Sequence, residues 1–246
     1  MAHFNTHVKF IDSLGKLKLP KEYVVSGAVF PDIMQYVNFK NSKSAKDEFA
    51  GYWHFPEPES KNGLKFAREM LKLAKTKEEK AFAYGVLSHF IVDVNVHGVI
   101  YNALKLDMGD HVVLEFYQAF ENLNHEPIKK LYCCKDLLIR TFKKLKPKDY
   151  ELYLKQIEEV NSYKLFKYRI ICDRFMRKLI TKRYSDKPES ALLHRIVFYF
   201  VRKGYKKTYG VDINKLFYPY RGLKKHLEQI NDALDKAGED LEQIKF

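Results

Sequence analysis

The sequence predicts an all-α protein, a multi-helix bundle, on three observations. Apolar residues recur at helical spacing through most of the 246 positions. Glycine, at 11, and proline, at 8, are too sparse for a turn-rich β architecture. Segment 77–101 is apolar nearly all round, as a central helix must be. A hydrophobic content of 46% and an aromatic content of 15% supply a sizeable core and argue against disorder.

The elements follow in chain order. Asn5 or Thr6 is placed to cap a first helix carrying His7, Phe10, Ile11 and Leu14, which Gly15 and Pro20 stop. Residues 22–30 are apolar and fit either a short buried helix or a strand. Pro31 is expected to end that segment and to put Asp32 at its mouth. Residues 39–61, polar and holding Pro56 and Pro58, read as a loop bearing Trp53 and His54. Residues 62–75 form an amphipathic helix with Leu64, Ala67, Leu71 and Ala74 inward. Thr76 and two glutamates open the central helix over 77–101. Asp110 caps a helix through 124, and Pro127, Pro147, Pro188 and Pro219 divide the rest into four or five more. No internal repeat or linker is present, so the two halves are expected to pack together.

Three pairs at helical spacing dominate the chemistry: His89 with Asp93, Asp93 with His97, and His111 with Glu115. Residues i and i+4 share one helix face, so each pair can close on a single ion. His89 and His97 stand roughly 12 Å apart along a helix, too far for one ion. Asp93 lies between them with two oxygens, which predicts two or more metals and a bridging carboxylate. A charged Asp inside an apolar helix costs several kcal/mol if unpaired. A hydrogen-bonded core network of Asp93 with His89 or His97 is the bland alternative. The three linked pairs, with His7, Asp32 and His54 upstream, favour metal. Histidine and carboxylate ligands without cysteine suit zinc, with manganese or iron as substitutes. Clustered metals favour phosphate-ester hydrolysis.

Charge and cysteine bound the rest. Residues 1–123 hold 15 Lys+Arg against 15 Asp+Glu, while 124–246 hold 29 against 16 and carry the whole net +13. Strips such as Arg140–Lys148 and Arg202–Tyr209 would attract an anionic membrane surface or nucleic acid. Cys133, Cys134 and Cys172 form no C-x-x-C pair, and adjacent cysteines rarely bridge. The N-terminus shows no secretory signal, and no run approaches the roughly 18 apolar residues of a membrane span. The reading is a reduced, cytoplasmic protein.

The order T-H (Thr6, His7), G-A-x-x-P-D (Gly27 to Asp32), an isolated histidine after an aromatic (Trp53, His54), G-x-x-x-H-x-x-x-D-x-x-x-H (Gly85 to His97) and H-x-x-x-E (His111 to Glu115) resembles the zinc-dependent phospholipase C family. That family shares an all-α fold with the single-strand-specific zinc nucleases. The similarity covers residues 1–124, implying a catalytic core there. Residues 125–246 look like the basic helical C-terminal extension of cytosolic bacterial or archaeal members, packed on the core.

The resemblance implies two to three zinc ions. His54, His89 and Asp93 would hold one; His97, His111 and Glu115 a second; His7 and the other oxygen of Asp93 a third. Asp32 would be the general base for a zinc-activated water. Secreted members complete the third site with their mature amino terminus. No leader is expected to be removed here, and His3, one turn before His7, is the candidate substitute. The Asp93–His97 interval is also shorter than in those members.

Gly85, one turn before His89, either admits another backbone to the metal helix or serves packing, and Asn95 is a candidate to hydrogen-bond a ligand. Tyr36, Trp53 and Phe55 could line a substrate entrance able to hold a quaternary ammonium head group. The function implied is a metal-dependent phosphoester hydrolase. The alternatives are a nuclease or phosphatase on the same fold, or an inactive, metal-stabilised binding module. Its partners would be a phosphoester substrate, a phospholipid at an anionic membrane among the candidates, and nucleic acid as another.

Overall fold

The computed structural model describes residues 4–15, 17–36, 59–104, 114, 117–118, 134–148, 150–151 and 222–244. Within them every regular element is helical, as an all-α fold requires. These are α1 (Phe4–Ser13), α2 (Lys21–Tyr36), α3 (Glu59–Leu73), α4 (Lys77–His97), a π-helical segment (Gly98–Leu104), α5 (Lys135–Leu145) and α6 (Leu223–Glu242).

The centre of the bundle is α4, against which α1, α2, α3 and α6 all pack. Its sequence explains why. From Ala81 to Asp93 every residue is buried, so the helix is enclosed on all sides. By length and composition Lys77–Ile100 could cross a membrane, contrary to the expectation of no such run. In the fold, 72% of its most apolar window is buried inside the protein, so it is a core helix. Thr76 starts it: the Oγ1 accepts from the Glu79 amide at 3.2 Å, while the Glu79 carboxylate accepts from the Lys75 amide at 2.6 Å. This T-x-x-E arrangement satisfies free donors at the helix start.

Several sequence expectations shift. Helix α1 already includes Asn5 and Thr6, and both are buried beside His7 instead of capping from outside. Gly15, at φ 71°, follows the helix in the left-handed backbone that glycine tolerates. Residues 22–30 resolve as helix, and Pro31 does not end it: α2 continues to Tyr36 with Pro31 inside. In α3 the most buried positions are Gly63, Phe66, Ala67 and Met70, a helical stripe offset from the predicted one. Leu64, Leu71 and Ala74 only border it.

Helix α5 seats Phe142 against Phe66 of α3, ring centroids 5.1 Å apart. Its basic residues are partly committed to the fold. Arg140 Nη2 lies 2.7 Å from both carboxylate oxygens of Glu79, and Lys144 pairs with Glu69. That part of the predicted anion-attracting strip therefore holds helices together. The strip Arg202–Tyr209 lies outside the described residues.

Candidate metal centre

Two glycines set the position of the site. A Cβ on Gly27 would lie 2.0 Å from the Phe82 carbonyl oxygen, and one on Gly85 would lie 2.0 Å from the Val24 carbonyl oxygen. Each helix therefore lays its backbone on the other at the point where it has no side chain. Gly85 does admit another backbone to α4, the helix that carries His89 and Asp93.

That approach puts the Ala28 carbonyl oxygen 2.7 Å from His89 Nδ1. Pro31 lies three residues further along the same helix. It offers no N–H to the Gly27 carbonyl one turn back, and its ring crowds that carbonyl. An interior proline costs about 3 kcal/mol in an isolated helix. Here it stands where α2 lends a backbone carbonyl to a side chain of α4 and presents buried Asp32 one residue later.

A carbonyl oxygen can only accept, so His89 Nδ1 donates and carries the proton. In the neutral ring Nε2 is then a lone pair, and it faces Asp93 Oδ2 at 3.3 Å. Burial pushes the His89 pKa down, with His7 acting in the same direction and Asp93 and Asp32 opposing. A lone pair against a carboxylate oxygen repels it unless a cation or a proton lies between them, and a metal ion is one such cation.

His7, from α1, completes the group. Its Nε2 is 3.4 Å from the other Asp93 oxygen, Oδ1, and 3.8 Å from Asp32 Oδ2. Its ring stacks on His89 with centroids 3.9 Å apart. His7 is 1% exposed, and neither ring nitrogen has a hydrogen-bond partner among the described residues.

One donor atom each from His7, His89 and Asp93 lies within 4.8 Å of the others. Zinc–ligand bonds of 2.0–2.1 Å in a tetrahedron place donors roughly 3.3 Å apart. The two His–Asp93 separations, 3.4 and 3.3 Å, meet that spacing. The residues present fit zinc, and the two oxygens of Asp93 face two different histidines.

The sequence matches the family model described as zinc dependent phospholipase C over residues 2–191. The chain belongs to the zinc-dependent phospholipase C family. No curated protein and no solved structure gives a match. The family is one of zinc-dependent hydrolases, and the buried trio supplies donors of the type such a family needs.

Of the residues singled out from the sequence, the fold brings together His7, Asp32, His89 and Asp93. His97 is the last residue of α4, partly exposed and outside the trio. His3, His54, His111, Glu115, Trp53 and Phe55 lie outside the described residues, as does the Tyr36 side chain. Asn95 turns its amide elsewhere, donating to the Ile91 carbonyl and to Asp240, each at 3.0 Å. The residue the sequence reading missed is Ala28. A backbone acceptor has no side-chain signature, and only its place in the G-A-x-x-P-D run, beside Pro31, could have pointed to it.

Proposed function

We propose that this protein is a zinc-dependent phosphoester hydrolase that cleaves a phospholipid or a related phosphodiester, with Asp32 as its general base. The observation that carries the reading is the disposition of Asp93, buried, with one oxygen toward His7 and the other toward His89. His7, His89 and Asp93 would hold metal, with His54, His97, His111 and Glu115 completing a set of two to three ions. Zinc bound there would supply Lewis acidity, acidifying water and offsetting charge on phosphoryl oxygens.

The chain's own groups do the rest. The Ala28 carbonyl holds the His89 ring in one tautomer, which keeps Nε2 available as a donor. Asp32 stands at the edge of the trio, 3.8 Å from His7 Nε2, and is only 4% exposed. From there its carboxylate can orient a nucleophilic water and take its proton as the phosphoester is attacked. Burial of the surrounding side chains keeps bulk water from screening these charges.

Asp32→Asn tests the assignment. Turnover of a soluble phosphodiester should fall about 10²- to 10⁴-fold, the usual contribution of a general base, while zinc content is retained. Wild-type turnover in the Asn variant would remove Asp32 from that role. Hydrolysis of phospholipid vesicles, compared with single-stranded nucleic acid, distinguishes the lipase reading from the nuclease one.

A further inference from the structure

Helix α3 carries its core and its charge on opposite sides. At about 100° per residue, the buried Gly63, Phe66, Ala67 and Met70 point one way, and Lys65, Arg68 and Lys72 point the other, within about 60° of one another. All three cations are exposed. Helix α5 continues this surface. Phe142 packs on Phe66, and Glu69 takes Lys144 from α5 as well as Lys72 from its own helix, the latter at 3.6 Å. Glu69 is therefore neutralised within the face, and exposed Lys143 adds another cation beside Lys144. The one carboxylate of α5, Asp136, stands about two turns before Lys143.

The face starts at the level of the metal centre. A Cβ on Gly63 would lie 2.4 Å from Phe90 Cδ1, so α3 begins against that ring, whose centroid is 5.2 Å from that of the His89 imidazole. Phe90 points about 100° away from His89 around α4, which sets α3 to the flank of the site. One turn past Phe90, on the same side of α4, is Val94, at 38% the one large hydrophobic side chain exposed among the described residues. Cations beside an exposed apolar side chain suit a bilayer surface. The charges meet lipid phosphates, while the aliphatic stems and the apolar group enter the headgroup layer. Nucleic acid held by its phosphates would use the cations and gain nothing from Val94.

We propose that the α3–α5 face, through Lys65, Arg68, Lys72 and Lys143 with Val94 at its end, docks the protein on an anionic phospholipid bilayer. The choice of a bilayer rests on the phospholipid reading above. Docking there would hold the metal centre beside the membrane that contains its substrate. Each Lys or Arg near an anionic surface contributes about fivefold in partition, and the gain fades as salt shortens the range of the charges.

The test is co-sedimentation with mixed phosphatidylserine–phosphatidylcholine vesicles, and with pure phosphatidylcholine vesicles for comparison. It uses the wild-type chain, a Lys65→Gln/Arg68→Gln/Lys72→Gln variant and a Lys224→Gln/Lys225→Gln/Lys236→Gln control. The control removes the same three charges from exposed positions of α6. The wild type should bind the anionic vesicles in preference and release them as salt rises. The α3 variant should lose roughly 100-fold in partition and the control less than about tenfold, with turnover of a soluble phosphodiester unchanged in both. Equal losses in the two variants would mark net charge alone and overturn the proposal. So would unchanged vesicle binding in the α3 variant, or a wild type that binds single-stranded oligonucleotide but not the vesicles. A wild type that binds vesicles as described yet hydrolyses neither lipid nor soluble phosphodiester would overturn the hydrolase reading and leave the docking face standing.

Discussion

Replacing Gly85 with alanine would set a methyl group 2.0 Å from the Val24 carbonyl oxygen and 2.7 Å from the Ala28 amide nitrogen. Ordinary contact begins near 3.4 Å, so α2 and α4 must part by about 1.4 Å. The atoms in the way are backbone and cannot rotate aside. Parting of that size would stretch the 2.7 Å bond from His89 Nδ1 to the Ala28 carbonyl beyond hydrogen-bond range.

Overpacking costs about 1–3 kcal/mol, and a buried bond left unmade a further ~1–3 kcal/mol. Alanine's better helix propensity returns about 1 kcal/mol. The net is a loss of about 3 kcal/mol, or a fall in Tm of roughly 6–12 °C for a chain of this size. Zinc affinity should fall roughly 10- to 100-fold as His89 loses its orienting acceptor.

Calorimetric unfolding, with zinc affinity from chelator competition, reads both effects. Gly238→Ala is the internal control. Nothing lies within 4 Å of a Cβ there, so the same change inside α6 should stabilise by about 0.5–1 kcal/mol. A Gly85→Ala protein with wild-type Tm and wild-type zinc affinity would refute the close approach and the role given to Ala28.

Glu79 is held below the ordinary carboxylate range: burial raises its pKa, but the Lys75 amide and Arg140 outweigh that. A folded pKa below the unfolded one gives stability that is present above the unfolded value and lost as pH falls through the folded value. Glu79→Gln should therefore flatten the acid limb of a stability–pH profile, and a profile superimposable on wild type below pH 5 would contradict the pairing. Thr76→Ala removes the acceptor for the Glu79 amide and should cost about 1 kcal/mol in denaturant unfolding. Phe142→Ala, fully buried against Phe66, should cost about 3–5 kcal/mol, and a shift under 1 kcal/mol would mean that α5 is not seated as described.

The helical class and the central helix were legible because their signals are local. The period of α4, Thr76 before Glu79, and His89 spaced from Asp93 all lie within one stretch of chain. What the sequence did not show comes from contacts between distant segments. Pro31 reads locally as a helix end, yet α2 passes through it, packed along α4 with Gly27 and Gly85 in register. Asn5 and Thr6 read as caps by residue type, yet the core takes them. Asn95 was identified as a polar residue with a purpose, but its partner, Asp240, lies 145 positions away, and no periodicity links them. Of the site, His7, Asp32, His89 and Asp93 were legible as residue types. Their meeting depended on the crossing of α1, α2 and α4.

Elemental analysis of the wild-type chain and of Asp93→Asn, purified side by side without added metal, tests the central claim most directly. Bound zinc in the wild type and its loss in the variant, with Tm falling on chelation of the wild type alone, is the predicted result. Equal zinc in the two proteins, or none in the wild type after reconstitution, would contradict a metal centre built on Asp93.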